Sequence, residues 1–414
     1  MKSNIKKTFI IFLLLDIVLF VIFISKNYSV FNPGGNFSGG DFKEIEAIKN
    51  TDMDFRSLSV FFTELADKKG GEYAYKSLAL AAQLSYIPPN IDLHLLGHVV
   101  GDVLYKQKGI EGIKVCTNDL RNACSHSIVV GAFLEKGTSV LKEVVELCKL
   151  APGGKGAFTM CVHGLGHGVL AFTEYDMKAA VKLCEDIGNP NAGDRIYTEC
   201  VGGISMEMMA GVNDPEQWEK QKPNYFSQTD PLAPCNMDFM PEAARPICYN
   251  FLTPHLFRSA GAELSRPLPE HFKKAFTYCS KIPNNRPGER SSCFGGFGKE
   301  FVVLVNDRNV QSVENMNDDR LARIYEWCSL TNDLQGRSDC MHSALQSLYW
   351  GGENDRGAAL RFCRLIQNED DNASCFNGLI GAVGYYIDDK RYKESFCNEV
   401  PDNIKDTCRK HLIR

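Results

Sequence analysis

From Phe42 to the C-terminus, apolar residues recur at the spacing of amphipathic helices, and loops of Asn, Gly, Pro and other polar residues separate the apolar stretches. The pattern also repeats on a larger scale. An amphipathic stretch ends on a bulky apolar residue followed by cysteine, as at Leu147-Cys148, Leu183-Cys184, Tyr278-Cys279 and Trp327-Cys328. A polar loop follows, such as 189–194 or 283–288, and a second cysteine then opens a new apolar stretch. Each unit reads helix A, cysteine, loop, cysteine, helix B. Only Pro234-Cys235 departs from the entry pattern.

Sixteen cysteines form eight such pairs: Cys116 with Cys124, Cys148 with Cys161, Cys184 with Cys200, Cys235 with Cys248, Cys279 with Cys293, Cys328 with Cys340, Cys363 with Cys375, and Cys397 with Cys408. Partners lie 8 to 16 residues apart, and the second members recur every 33 to 48 residues, the period of helical-hairpin arrays. No Cys-x-x-Cys occurs, so zinc-ribbon spacing is absent. The expectation is a disulfide within each pair, closing the mouth of an αα-hairpin and contributing about 2–3 kcal/mol. Bridges between neighbouring units are the rival connectivity. A unit without cysteines precedes the first pair: Asp92-Leu-His-Leu-Leu-Gly-His aligns without gaps on Cys161-Val-His-Gly-Leu-Gly-His. Residues 72–83 would be its helix A, and 42–68 an N-terminal capping helix. The predicted fold is all-α, an array of about eight disulfide-stapled αα-hairpin repeats, either an α-solenoid or an α/α toroid, with a short terminal staple at Cys397 and Cys408. In architecture it resembles Sel1-like and tetratricopeptide arrays, but their signature positions do not align here, and the likeness carries no function.

The first thirty residues differ. An apolar run at 9–24 follows Lys2, Lys6 and Lys7 and contains one charge, Asp16. With Thr8 and Ser25 it is about 18 residues long, enough to span a bilayer core. No small-x-small cleavage site follows. Residues 1–30 therefore read as an uncleaved signal anchor rather than a cleaved signal peptide, with the lysines cytoplasmic and the rest of the chain outside, where disulfides persist. Residues 31–42 read as a flexible linker and 43–414 as the cysteine-rich ectodomain. Asn27, Asn36 and Asn372 head glycosylation triplets.

Composition narrows the function. A net charge of −5 and a pI of about 6.0 argue against a nucleic-acid partner. With 44% hydrophobic and 23% charged residues the chain folds. It has no Gly-x-Ser-x-Gly, phosphate-binding loop or dinucleotide fingerprint, and no specific reaction is legible.

Candidate chemistry lies in the histidines. Two residues past the cysteine that opens helix B stand His126, His163 and His342, with His94 in the cysteine-less unit; six residues past stand His98 and His167. These positions are i and i+4 on one helix face, and neighbouring B helices would align them as a stripe. His94, His98, His126, His163 and His167 are therefore the candidate metal ligands, with His126 between the two pairs. Zinc, copper or iron would accept imidazoles, as would non-covalent haem. His-Glu-x-x-His is absent, so a zincin protease lacks its base, and Cys-x-x-Cys-His is absent, which excludes c-type haem. Against this stands the ordinary role of a buried histidine, a satisfied core or capping group copied by duplication. His255, His271, His342 and His411 stand apart and read as structural or exposed.

Further residues belong near the stripe. Glu207 and Glu300 sit one position beyond it, as carboxylates for chemistry or for internal hydrogen bonds. Met206, Met208 and Met209 suggest copper or, more simply, core. Gly164, Gly166 and Gly168, and Gly378, Gly381 and Gly384, weaken their helices by about 1 kcal/mol each and imply close helix approach or a ligand against bare backbone. Together these features predict a membrane-anchored extracytoplasmic binding or scaffold protein with a protein, peptide or glycan ligand. The alternative is a metal- or haem-binding protein, enzymatic or not, centred on the five histidines.

Overall fold

The polar loops of the cysteine pattern fall between helices, except that Cys235 stands in a run of turns before the helix Arg245–Phe251. The structure, a computed structural model, describes residues 42–413 except 89–90, 118, 153, 193, 212, 228, 264–266, 307–312 and 352–355. The signal anchor expected over 1–30, residues 31–41 of the expected linker, and Asn27 and Asn36 lie outside the described residues. Among the described residues, no helix is long and apolar enough to cross a membrane, and all regular secondary structure is helical.

The α-helices are α1 (Phe55–Lys69), α2 (Gly71–Gln83), α3 (Leu93–Lys108), α4 (Ala123–Lys136), α5 (Leu141–Cys148), α6 (Gly154–Phe172), α7 (Met177–Cys184), α8 (Arg195–Ala210), α9 (Pro215–Gln221), α10 (Arg245–Phe251), α11 (Thr253–Ser259), α12 (Pro269–Cys279), α13 (Pro287–Val305), α14 (Asp318–Cys328), α15 (Leu334–Gly351), α16 (Gly357–Leu365), α17 (Glu369–Tyr386), α18 (Lys390–Glu399) and α19 (Asp402–Leu412). Asp54, Asp92, Asp176, Asp194, Asn317 and Asn368 cap helix N-termini through their side chains, which supplies acceptors to otherwise unpaired N–H groups.

The helices that open at the second cysteines, with α3 before them, pack on one another in chain order: α3, α4, α6, α8, α10, α13, α15, α17, α19. All eight disulfides join nearest neighbours in sequence, with Cα atoms 5.4–5.9 Å apart, and no cysteine is free. All sixteen are buried, inside one continuous apolar core.

Bare backbone makes the close packing possible. A Cβ on Gly166 would lie 2.0 Å from the Cys200 carbonyl oxygen, and one on Gly203 would lie 1.9 Å from that of His163. Gly298 repeats the device against Cys340, at 1.9 Å. Close helix approach is thus the reason for glycine here. Gly381 is an exception, with no atom within 4 Å of the added Cβ.

The pattern misjudged several local elements. Residues 42–68 are not one helix: a 3-10 turn at Lys43–Ile48 precedes α1, with Asn50 at φ 57° between them. The first cysteine pair is entered from a 3-10 segment, Gly109–Val115. The helix opening at Cys248 breaks between α10 and α11, where Pro254 cannot donate to the Asn250 carbonyl. The terminal pair staples a true hairpin of α18 and α19. Asn372 is not a free glycan acceptor, since its side-chain amide donates to the carbonyls of Cys363 and Ile366 at 2.8 and 3.1 Å.

Candidate metal centre

The histidine register places five imidazoles on three adjoining helices. His94 and His98 stand one turn apart on α3, His126 near the start of α4, and His163 and His167 in the middle of α6. Ring centroids are 4.7 Å apart for His94 and His98, 5.5 Å for His94 and His126, 5.6 Å for His126 and His167, and 6.1 Å for His126 and His163. One ring nitrogen each from His94, His98 and His126 lies within 4.8 Å of the others, a group that can hold a metal ion.

Hydrogen bonds to carbonyls place the proton on His94 and His126. His94 Nδ1 is 3.0 Å from the Leu120 carbonyl oxygen, which only accepts, so Nδ1 carries the proton. Ser127 Oγ lies 3.0 Å from the His98 carbonyl oxygen and 2.9 Å from His98 Nδ1. His94 Nε2 therefore presents a lone pair, and it faces His98 Nε2 at 3.1 Å. His126 spends its Nε2–H on the Met160 carbonyl at 3.1 Å, leaving Nδ1 as its lone-pair nitrogen. Burial, with the charges of His94 and His167 adding to it, pushes His98 down to about 3. Burial and the four neighbouring histidines hold His126 well below the ordinary histidine range. A tetrahedral ion with metal–nitrogen bonds of about 2.0–2.1 Å sets its ligands about 3.3 Å apart, close to the separation of His94 and His98.

His167 completes the surroundings. Its Nδ1 donates to Glu207 Oε2 at 2.9 Å. Glu207 is fully buried and also accepts from Tyr175 Oη and from the Asn213 backbone N–H at 2.8 Å. Burial alone would raise this carboxyl, but the His167 hydrogen bond, with those of Asn213 and Tyr175, holds it below the usual range. His167 Nε2 is buried and has no hydrogen-bond partner. A carboxylate orienting an imidazole whose other nitrogen is unpartnered is the usual support of a metal-binding histidine.

His163 is brought alongside but turned elsewhere. Its Nε2 lies 3.4 Å from Met206 Sδ and its Nδ1 3.8 Å from Glu199 Oε2; burial pushes it below its ordinary range against the pull of Glu199. Met208 and Met209 are core, whereas Met206 is 38% exposed. Glu300 is half-buried and on a different helix, α13. His342 donates to the Ser374 carbonyl at 3.1 Å, the bond that His126 makes to the Met160 carbonyl. Position two of the repeat thus has a structural duty in these two units, tying the B helix to the next. His255 packs on Phe226, His271 accepts from the Leu268 N–H, and His411 donates to the Thr407 carbonyl; all three stand apart as expected.

A cleft of about 240 Å³ opens beside the centre, lined by Leu95, His98, Asp102, Ser127, Val130 and Asn213. Burial raises the Asp102 carboxyl above its ordinary value, opposed by a hydrogen bond with Ser127. Asp102 and Ser127 were missed by the sequence reading, although Asp102 extends the i, i+4 series of His94 and His98 by one more turn.

No family model matches this chain, and no curated protein or solved structure is detectably similar to it.

Proposed function

We propose that this protein binds a transition-metal ion through His94, His98 and His126, with His167 as the adjacent fourth donor oriented by Glu207. The observation that carries this reading is the convergence of one ring nitrogen each from His94, His98 and His126 within 4.8 Å of one another, with the Nε2 atoms of His94 and His98 facing at 3.1 Å. Zinc, copper and iron all accept such a set. Haem suits it less well: nitrogens 3.1 Å apart on one helix face cannot be opposite ligands of one iron. The cleft at His98 would give the ion an open position for a small ligand.

The metal centre would sit in a membrane-anchored extracytoplasmic array, with residues 1–30 as the anchor. The complete pairing of sixteen cysteines supports an oxidising compartment. A superhelix wound tightly toward a ring is favoured over an open solenoid because α17 meets α6, and Tyr385 lies against Lys155 and Arg195 at 5.4 and 5.1 Å. A protein, peptide or glycan partner is proposed for its remaining surface.

The test is equilibrium dialysis of the full-length oxidised protein against zinc(II) and copper(II), read by elemental analysis. One tightly held ion per chain is expected, lost in the His94→Ala/His98→Ala double variant. Equal metal content in both proteins would end the proposal.

A further inference from the structure

Met206 is the one methionine of its cluster outside the core. It lies in the interior of α8, where Met208 is 0% and Met209 5% exposed, yet Met206 itself is 38% exposed. Its sulfur is 3.4 Å from His163 Nε2, and His163 is buried. As a hydrogen bond this contact is weak, because a thioether is a poor acceptor. As two ligands of one ion it is well formed: metal–nitrogen and metal–sulfur bonds of about 2.0 and 2.3 Å give this separation at an angle of about 100–105°. The donors are an imidazole and a thioether, a soft set that selects copper(I) over zinc, calcium or magnesium. Since every cysteine is in a disulfide, methionine is the available soft donor. His163 lies 5.2 Å from His167, ring to ring, and the unpartnered His167 Nε2 is the nearest further nitrogen donor on the same helix face.

We propose that Met206 Sδ and His163 Nε2 form a second, soft-metal site that takes up copper(I) from solvent at the edge of the imidazole cluster. The site uses a different pair of side chains from His94, His98 and His126, and it stands whether or not those three hold an ion.

The test loads the full-length oxidised protein anaerobically with copper(I), after saturation with zinc(II), in competition with a chromophoric copper(I) chelator. X-ray absorption then reads the ligands. Wild-type protein should hold copper(I) with a sulfur neighbour at about 2.3 Å. Met206→Leu, a change at an exposed position, should lose that sulfur and weaken copper(I) binding at least tenfold. Met208→Leu should change neither, and Met206→His should keep the ion without the sulfur. Absence of sulfur around copper in the wild type, or its persistence in Met206→Leu, would overturn the site. Zinc content in the same samples reports separately on the His94, His98 and His126 centre.

Discussion

At the scale of single residues, what separates a ligand from a structural histidine is the partner of its other nitrogen. His342 and His126 both donate Nε2–H to a carbonyl of the next unit, so occupying position two of the repeat says little about metal. His98 is informative because Ser127 Oγ holds its Nδ1 while its Nε2 faces that of His94. Ser127→Ala removes that partner of Nδ1; metal affinity should fall about tenfold, at the lower end for lost support of a ligating histidine, measured by chelator competition. Glu207→Gln should cost about 10–100-fold through His167. The five histidines were legible from their spacing. Internal hydrogen bonding by Glu207 was also anticipated, and it is made to His167, Tyr175 and Asn213; Ser127 and Asp102 were not legible, because each acts across to a neighbouring helix and leaves no mark on the period of its own.

At the scale of elements, cysteine–loop–cysteine punctuation located nearly every hairpin, while the links between hairpins stayed hidden. Arg245 reaches Glu289, Arg290 pairs with Asp333, and Arg337 Nε lies 3.0 Å from Asp371 Oδ2. All three arginines stand three residues before the second cysteine of their unit, a recurrence visible in sequence only once the acidic partners on the next unit are known. Glycine divides in the same way. Gly166→Ala drives a methyl to 2.0 Å from the Cys200 carbonyl and should destabilise by about 3 kcal/mol. Gly381→Ala meets no atom within 4 Å and should stabilise by about 0.5–1 kcal/mol. Thermal unfolding of the two variants separates these outcomes; opposite signs are expected, although both glycines recur within apolar B helices. The broken helix at 42–68 and the interruption at Pro254 show the limit of periodicity, which marks apolar faces but not where a turn must intervene.

At the scale of the whole molecule, disulfides act on stability and, in the first units, on the site as well. Replacing Cys363 and Cys375 by serine should cost about 2–3 kcal/mol and leave metal content unchanged. Replacing Cys148 and Cys161, the latter two residues before His163, should cost a similar amount and also reduce metal content, read by elemental analysis beside the unfolding curve. The approach of α17 to α6 was not legible at all, since it joins units about two hundred residues apart and no local pattern encodes superhelical pitch.

The most direct measurement is an anomalous difference map from crystals of the zinc-loaded protein, collected on both sides of the zinc absorption edge. The account predicts a single strong peak about 2.0–2.1 Å from both His94 Nε2 and His98 Nε2, with His126 or His167 completing the sphere. A map without a peak there, with the two imidazoles hydrogen-bonded to water or to each other through a proton, would contradict it.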